Sequence, residues 1–296
     1  MPAAPAAVPV AWRTARGSLS LERPIVAGIL NVTPDSFWDG GRFTDVEPAL
    51  RQVAAMVADG ADMVDIGGES TRPGAMAVDA AREIARVIPV VEAVQREWPQ
   101  LPISVDTVKA AVARAAIEAG ASIINDVSGL RLDGALAGEI ARARAGVILM
   151  HSRGGVDRMA RYDLAEYGSD PAGEVVGELA AAVERARAGG IADGAIVIDP
   201  GLGFAKRTEH SLALLARLDR LADLGFPVLI GPSRKRFIGD AGGAALPVED
   251  RLEGTIAACV IALLRGATIF RVHDVAPVRR ALDFAHAVRH SGDAHR

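Results

Sequence analysis

The chain has 296 residues, 50% of them hydrophobic and 24% charged, and carries a formal net charge of −4 with a pI near 5.9. That balance is ordinary for soluble globular material and argues against a nucleic-acid or anionic-membrane partner held by bulk charge, while leaving room for a local basic pocket. No run of about 20 apolar residues occurs, so no membrane-spanning helix is expected.

Residues 1–20 come first in chain order and read MPAAPAAVPVAWRTARGSLS. They lack a basic stretch followed by a continuous apolar one, so they read as a flexible N-terminal segment rather than a secretory signal. One theme then repeats along the chain. Short apolar runs rich in β-branched residues end in polar residues and lead into Ala-, Leu-, Arg- and Glu-rich patterns with apolar spacings of three and four. The runs are 24–30, 61–67, 102–107, 122–127, 146–151, 195–201, 227–233 and 268–274. Helical patterns follow them at 45–59, 79–97, 108–119, 134–144, 173–189, 208–223, 248–265 and 276–289. Apolar runs without alternation indicate parallel strands covered on both faces. Eight such units with no break in composition predict an α/β fold, a single (β/α)8 TIM barrel over 21–290, with a flexible tail at 291–296. The one cysteine, Cys259, falls in an apolar helical run and reads as a buried structural thiol. It cannot form an internal disulfide, which fits a reducing, cytoplasmic setting.

A barrel keeps its chemistry at the C-terminal ends of its strands, so the residues where the apolar runs stop carry the functional reading. The connections 31–44 and 68–78 are longer than a barrel needs, as functional loops are. In the first, Pro34 interrupts the strand ladder, and the polar loop beyond it carries Phe37 and Trp38 in a chain with only 4% aromatics. Asp126, Thr107 and Ser233 read as caps or turn residues. Asp106 and Asp199, with Asn125 and Lys235, form a set able to bind a flat heterocycle with donors and acceptors along its edge. Arg72, Arg271 and His273, with Asn31 and Ser70, suit a phosphate or diphosphate. No glycine-rich nucleotide cradle, no H-E-x-x-H pattern and no cysteine cluster occurs, and His151 and His273 stand on separate strands, so a structural transition-metal site is not expected. A Mg²⁺ ion bridging diphosphate oxygens to Asn31 or Asp39 would need no dedicated protein cage.

The strings GILNVTPDSFWDGG, VDIGGESTRPGA, SVDT, NDVSG, DPGLGFAKRTEH, GPSRKRFIG and RVHDV occur in this order between about residues 24 and 290. Together they resemble dihydropteroate synthase, a barrel enzyme of folate synthesis. The resemblance implies a transferase joining 6-hydroxymethyl-7,8-dihydropterin diphosphate to p-aminobenzoate, with Mg²⁺, as a homodimer and a sulfonamide target. Carried over by position, it implies that Asp106, Asn125, Asp199 and Lys235 hold the pterin edge, and that Met150, Phe204 and Gly231 line its faces. Asn31, Thr71, Arg72, Arg271 and His273 would hold the diphosphate, with the metal near Asn31 and Asp39. Phe37, Pro73, Lys235 and Arg236 would shape the p-aminobenzoate pocket, and the catalytic set would be Asp106, Asp199, Lys235 and Arg271. Where many members of that family carry Ser after the S-R-K run, this chain has Arg236, which leaves the contacts at the substrate carboxylate open. A pterin-binding paralogue without turnover, a corrinoid-linked methyltransferase on a similar barrel and a purely structural or regulatory barrel protein are the competing readings. None of them needs the complete set of diphosphate and flap residues.

Overall fold

Val- and Ile-rich runs favour extended backbone, and runs that are apolar on both faces must be covered on both. A closed sheet of parallel strands wrapped in helices satisfies this for every strand at once, and that is the observed architecture. The computed structural model describes residues 9–32, 46–70, 78–243 and 245–291. Two short strands, β1 (Ala11–Thr14) and β2 (Gly17–Ser20), pair as an antiparallel hairpin. The barrel strands then follow: β3 (Ile25–Asn31), β4 (Met63–Gly67), β5 (Ile103–Asp106), β6 (Ile123–Asp126), β7 (Gly146–Met150), β8 (Ile196–Asp199), β9 (Val228–Ile230) and β10 (Ala267–Val272). Each pairs in parallel with its sequence neighbour, and β10 pairs with β3 to close the barrel.

Alternation along each strand divides the core in two. Val26, Leu30, Val64, Ile66, Val105, Ile124, Val147, Leu149, Ile198 and Phe270 face outward and pack with the helices in one buried cluster. Ile25, Ala27, Met63, Ile123, Ile148, Val197, Leu229 and Ile269 face inward and form a second cluster that fills the barrel's lower half. The helical patterns fall within a few residues of their predicted bounds, with two differences. The pattern at 208–223 divides into helices Thr208–Ala216 and Asp219–Ala222, because Arg217 leaves helical backbone at φ −120° and ψ 29°. A short helix, Arg236–Asp240, also stands between β9 and the helix Leu252–Leu264, where none was predicted.

The N-terminal segment differs from expectation as well. Residues 1–8 lie outside the described residues, but 11–20 form the hairpin rather than a flexible segment. Its anchor is Trp12, fully buried in the inner cluster, with Nε1 donating to the Ala195 carbonyl at 2.8 Å. Gly146 leaves room for the ring, since a Cβ there would lie 3.2 Å from Trp12 Cε2. The hairpin therefore closes the N-terminal end of the barrel with a large apolar side chain. Trp12→Ala is expected to cost about 3–5 kcal/mol, as other buried Trp truncations do. The check is thermal unfolding, where a drop below about 3 °C would mean that the hairpin is not part of the core. At the other end, Ser291 closes the last helix, and 292–296 lie outside the described residues. Among the described residues, no helix is long and apolar enough to cross a membrane.

Candidate active site

The inward apolar residues fix where the polar ones fall. Two residues beyond each inner-cluster side chain, a strand presents the next inward position: Asp65 after Met63, Asn125 after Ile123, Met150 after Ile148, Asp199 after Val197, Gly231 after Leu229 and Arg271 after Ile269. On β5 the same parity carries Ser104 and Asp106, and on β3 it carries Ile29 and Asn31. The strand-end residues therefore share the barrel's C-terminal mouth because of a two-residue period, not by separate accidents.

At the centre lies a carboxylate to which the strand-end pattern alone assigns no chemistry. Asp65 is 1% exposed and accepts from Ser104 Oγ at 2.5 Å, Asn125 Nδ2 at 3.1 Å and Arg271 Nε at 2.5 Å. A carboxylate only accepts, so this contact fixes the Asn125 amide with its NH₂ toward Asp65 and its oxygen available on the other side. Arg271 extends across the mouth, and its Nη2 donates to Asp106 Oδ2 at 3.4 Å. Burial, and then repulsion from Asp65, push the Asp106 carboxyl up to about 8 against the pull of Arg271. Asn31 ends β3 across Gly67 from Asp106: a Cβ on that glycine would lie 3.8 Å from Asn31 Oδ1 and 3.7 Å from Asp106 Cβ.

The other side of the mouth is built on the turn after β8. Asp199 Oδ1 accepts from Gly201 N at 2.7 Å, so this aspartate shapes a loop rather than capping a helix. Burial raises its pKa, with the Lys235 charge opposing. Gly201 takes φ +64°, and a Cβ there would sit 2.0 Å from the His151 carbonyl, so no larger residue fits. The turn sets the Phe204 ring against Met150, Met159, Val108 and Val127, an apolar slot beside the polar edge. Lys235 crosses the slot, with Nζ donating to the Leu202 carbonyl at 2.6 Å and lying 4.3 Å from the Phe204 ring centroid. Burial lowers its pKa to about 8, and Asp199 works in the opposite direction. Arg234 turns the chain into this position at φ +54°, held by Asp274 at 2.8 and 2.5 Å and by Arg251 Nη1 on its carbonyl at 3.1 Å.

Beside Arg271, Ser233 Oγ accepts from His273 N at 3.1 Å and lies 3.0 Å from His273 Nδ1. Ser233 is thus a brace for His273, and Asp126, which accepts from Ser128 N at 2.8 Å, is a turn residue. Arg236 stands apart from the slot: it is exposed, pairs with Asp240 at 3.3 Å and lies 5.0 Å from the Tyr162 ring centroid. Phe37, Asp39, Thr71, Arg72 and Pro73 lie outside the described residues. Glu69, at the near end of 70–77, accepts from Val78 N at 2.7 Å across the segment, and Lys109 ties it to buried Glu83 at 2.7 and 2.6 Å. Among the described residues, no group of three or more His, Cys, Asp or Glu side chains is placed to hold a metal ion.

The mouth thus combines a flat apolar slot, two carboxylates and an amide along its edge, and two cations at its side. Comparison with known proteins shows which family the chain resembles. A family model described as a pterin binding enzyme matches residues 27–273. The dihydropteroate synthase of Mycobacterium leprae is 45% identical over 278 residues, covering 93% of this chain and 96% of that protein. The structure of Xanthomonas albilineans dihydropteroate synthase with 4-aminobenzoic acid superposes with a TM-score of 0.85 at 45% identity, covering 94% of this chain and 98% of that one. A complex of the Xanthomonas enzyme with 7,8-dihydropteroate gives 0.82 at 43% identity, with 94% and 98% covered.

Proposed function

The chain belongs to the dihydropteroate synthase family of pterin-binding enzymes, and from that membership we propose how its barrel mouth performs the condensation. The enzyme joins 6-hydroxymethyl-7,8-dihydropterin diphosphate to p-aminobenzoate and releases 7,8-dihydropteroate and diphosphate. The observation that carries the site assignment is the shared inward parity of Asp106, Asn125, Asp199 and Arg271 beside the Met150–Phe204 slot.

In this reading the pterin lies in the slot, with Met150, Phe204 and Gly231 along its faces. Asp106 and Asp199 accept from its N–H groups, the Asn125 oxygen that Asp65 leaves available accepts from a ring N–H, and Lys235 donates to a ring carbonyl or nitrogen. Those N–H donors replace the water that burial strips from the carboxylates, so binding favours their ionised forms. Arg271, His273 and Asn31 hold the diphosphate, with Thr71 and Arg72. Phe37, Pro73 and Lys235 border p-aminobenzoate, with Arg236 at the rim.

The arylamine is a weak nucleophile, so help comes at the leaving group. The C–O bond of the pterin methylene breaks first, and the electron pair leaves with the diphosphate, whose charge Arg271 and His273 stabilise. The electron-rich ring delocalises the positive charge, which Asp106 and Asp199 favour. The amine lone pair then forms the C–N bond and its proton passes to solvent. No side chain acts as a covalent nucleophile. The residues present fit Mg²⁺ through the amide oxygen of Asn31, since this ion keeps several waters and takes substrate phosphates alongside one or two protein oxygens, and Asp39 would add a second. When bound, it supplies charge neutralisation at the diphosphate. Homodimer formation, a cytoplasmic location and sulfonamide competition at the p-aminobenzoate pocket belong to the same proposal. Buried Cys259, its thiol pushed up to about 12 by burial, agrees with a reducing setting.

The deciding test is diphosphate release by the purified protein, with the pterin diphosphate, Mg²⁺ and p-aminobenzoate omitted in turn. Release that needs all three, with dihydropteroate formed in equal amount, is the expected result. Pterin binding without product would point instead to a silent paralogue.

A further inference from the structure

Behind the Phe204 slot, Lys206 is 0% exposed, and its partners are not carboxylates. Nζ lies 2.7 Å from His151 Nδ1 and donates to the Phe204 carbonyl at 3.0 Å. His151, itself 4% exposed, meets Glu178 Oε2 through Nε2 at 3.0 Å. Glu178 is half-exposed and also takes Arg153 Nε at 3.1 Å. The proton positions along this chain follow from one end. Hydrogen bonds from His151 and Arg153 lower the Glu178 pKa to about 2, so its carboxylate can only accept and His151 Nε2 must carry the hydrogen. His151 Nδ1 is then an acceptor, and Lys206 donates to it as well as to the Phe204 carbonyl. Burial, with the nearby Lys206 charge, holds the imidazole neutral and lowers its pKa to about 4.

The turn that Lys206 closes is strained. Gly201, Gly203 and Ala205 all take positive φ, at +64°, +79° and +46°, and a non-glycine residue in that region persists only where its surroundings hold it. Ala205 N donates to the Met159 carbonyl at 2.6 Å, and Lys206 supplies the tie on the next carbonyl back. The same turn presents the Phe204 ring to the slot and the Leu202 carbonyl to Lys235 Nζ.

We propose that Lys206, oriented by His151 and Glu178, is a positioning residue that clamps the Gly201–Ala205 turn in the shape that grips the pterin. This rests on the pterin-binding reading above and adds to it a residue that touches no substrate. The clamp works through Phe204 and through the seat of Lys235, so its loss loosens the slot without removing a group from the polar edge.

Three variants test it: Lys206→Met, which removes the donors; His151→Leu, which removes their acceptor; and His151→Asn, whose side-chain oxygen stands near the position of Nδ1. The probe is 6-hydroxymethylpterin, titrated by fluorescence onto the intact chain, with far-UV circular dichroism to confirm folding. Lys206→Met and His151→Leu should each raise the pterin Kd about tenfold or more, the scale of one hydrogen bond lost from a buried network, while His151→Asn stays within about threefold of the unaltered chain. In turnover, the KM for the pterin diphosphate should rise in step with Kd while kcat changes far less. Nitrogen-15 spectra of the unaltered chain should place the His151 hydrogen on Nε2. A folded Lys206→Met that binds the pterin as the unaltered chain does would overturn the proposal. So would His151→Asn and His151→Leu proving equally weak, a comparison that decides the matter if Lys206→Met does not fold, or an Nδ1–H tautomer. An unaltered chain that binds the pterin but releases no diphosphate overturns the synthase reading alone, because the binding comparison still decides the clamp. An unaltered chain that binds no pterin overturns both.

Discussion

Asp106→Asn is expected to lower kcat/KM about 200-fold while leaving the fold intact. The side chains have the same shape, so the change removes charge and little else. Opposite unit charges about 5 Å apart, at an effective dielectric near 20, attract by about 3 kcal/mol. If positive charge develops on the pterin as the diphosphate leaves, that is the barrier difference the carboxylate supplies, equal to roughly 200-fold in rate. A loss of less than about tenfold, roughly 1.4 kcal/mol, would mean that Asp106 binds the ground state and transition state alike.

Stability should move the other way, and this separates the electrostatic role from a structural one. Burial first, then Asp65, raise the Asp106 carboxyl to about 8. A raised folded-state pKa contributes stability that is fully present at acid pH, below about 4 where the unfolded carboxyl titrates. That contribution is lost as pH rises through about 8. The Asn variant does not titrate at this position, so the difference in melting temperature between pH 5 and pH 8 should be smaller than in the unaltered chain. At pH 8 the variant should melt no lower. If it melts several degrees lower there, the carboxylate is holding the mouth together, and the rate loss has a structural cause.

The barrel was legible because each unit repeats one physical pattern: an apolar run, a polar stop, an amphipathic helix. The polar stops also named most of the mouth. What the runs concealed was their own alternation. Strands covered on both faces read as continuously apolar, so the two-residue step from Met63 to Asp65, which places Asp65 in line with Asn125, Asp199 and Arg271, does not stand out from its neighbours Val64 and Ile66. Asp65 is one of the polar residues where the apolar runs stop, and parity counted along the strand is what puts it at the centre of the mouth. Lys206 gave no such signal. It follows a glycine-rich turn in a polar stretch, where a lysine is ordinarily solvated, and its burial is decided by the contacts with His151 and Phe204 rather than by local sequence. The N-terminal hairpin was hidden for a related reason: its four-residue strands gain their stability from Trp12 in the barrel floor, a contact 183 residues away in sequence from Ala195.

Arg271→Met should fail in both respects, and the two can be separated. Its Nε at 2.5 Å from Asp65 and its Nη2 at 3.4 Å from Asp106 make it the cation that buried Asp65 and half-buried Asp106 share. Removing one partner of a buried pair strands the remaining charge, at a cost of about 3–5 kcal/mol. At this chain length that is a fall in melting temperature on the order of 10 °C. Turnover should fall about 100- to 1,000-fold beyond any loss of folded protein, the scale for removing one donor aimed at developing negative charge. Asp65→Asn in the same chain removes the stranded charge and keeps side-chain contacts with Ser104 and Asn125, so the double variant should recover most of the stability. It should recover none of the turnover, because the departing diphosphate still lacks its guanidinium. Recovery of both would reduce Arg271 to a counter-ion for Asp65. A single variant that melts normally would mean that water already reaches Asp65, and that the mouth is wetter than its 1% exposure implies.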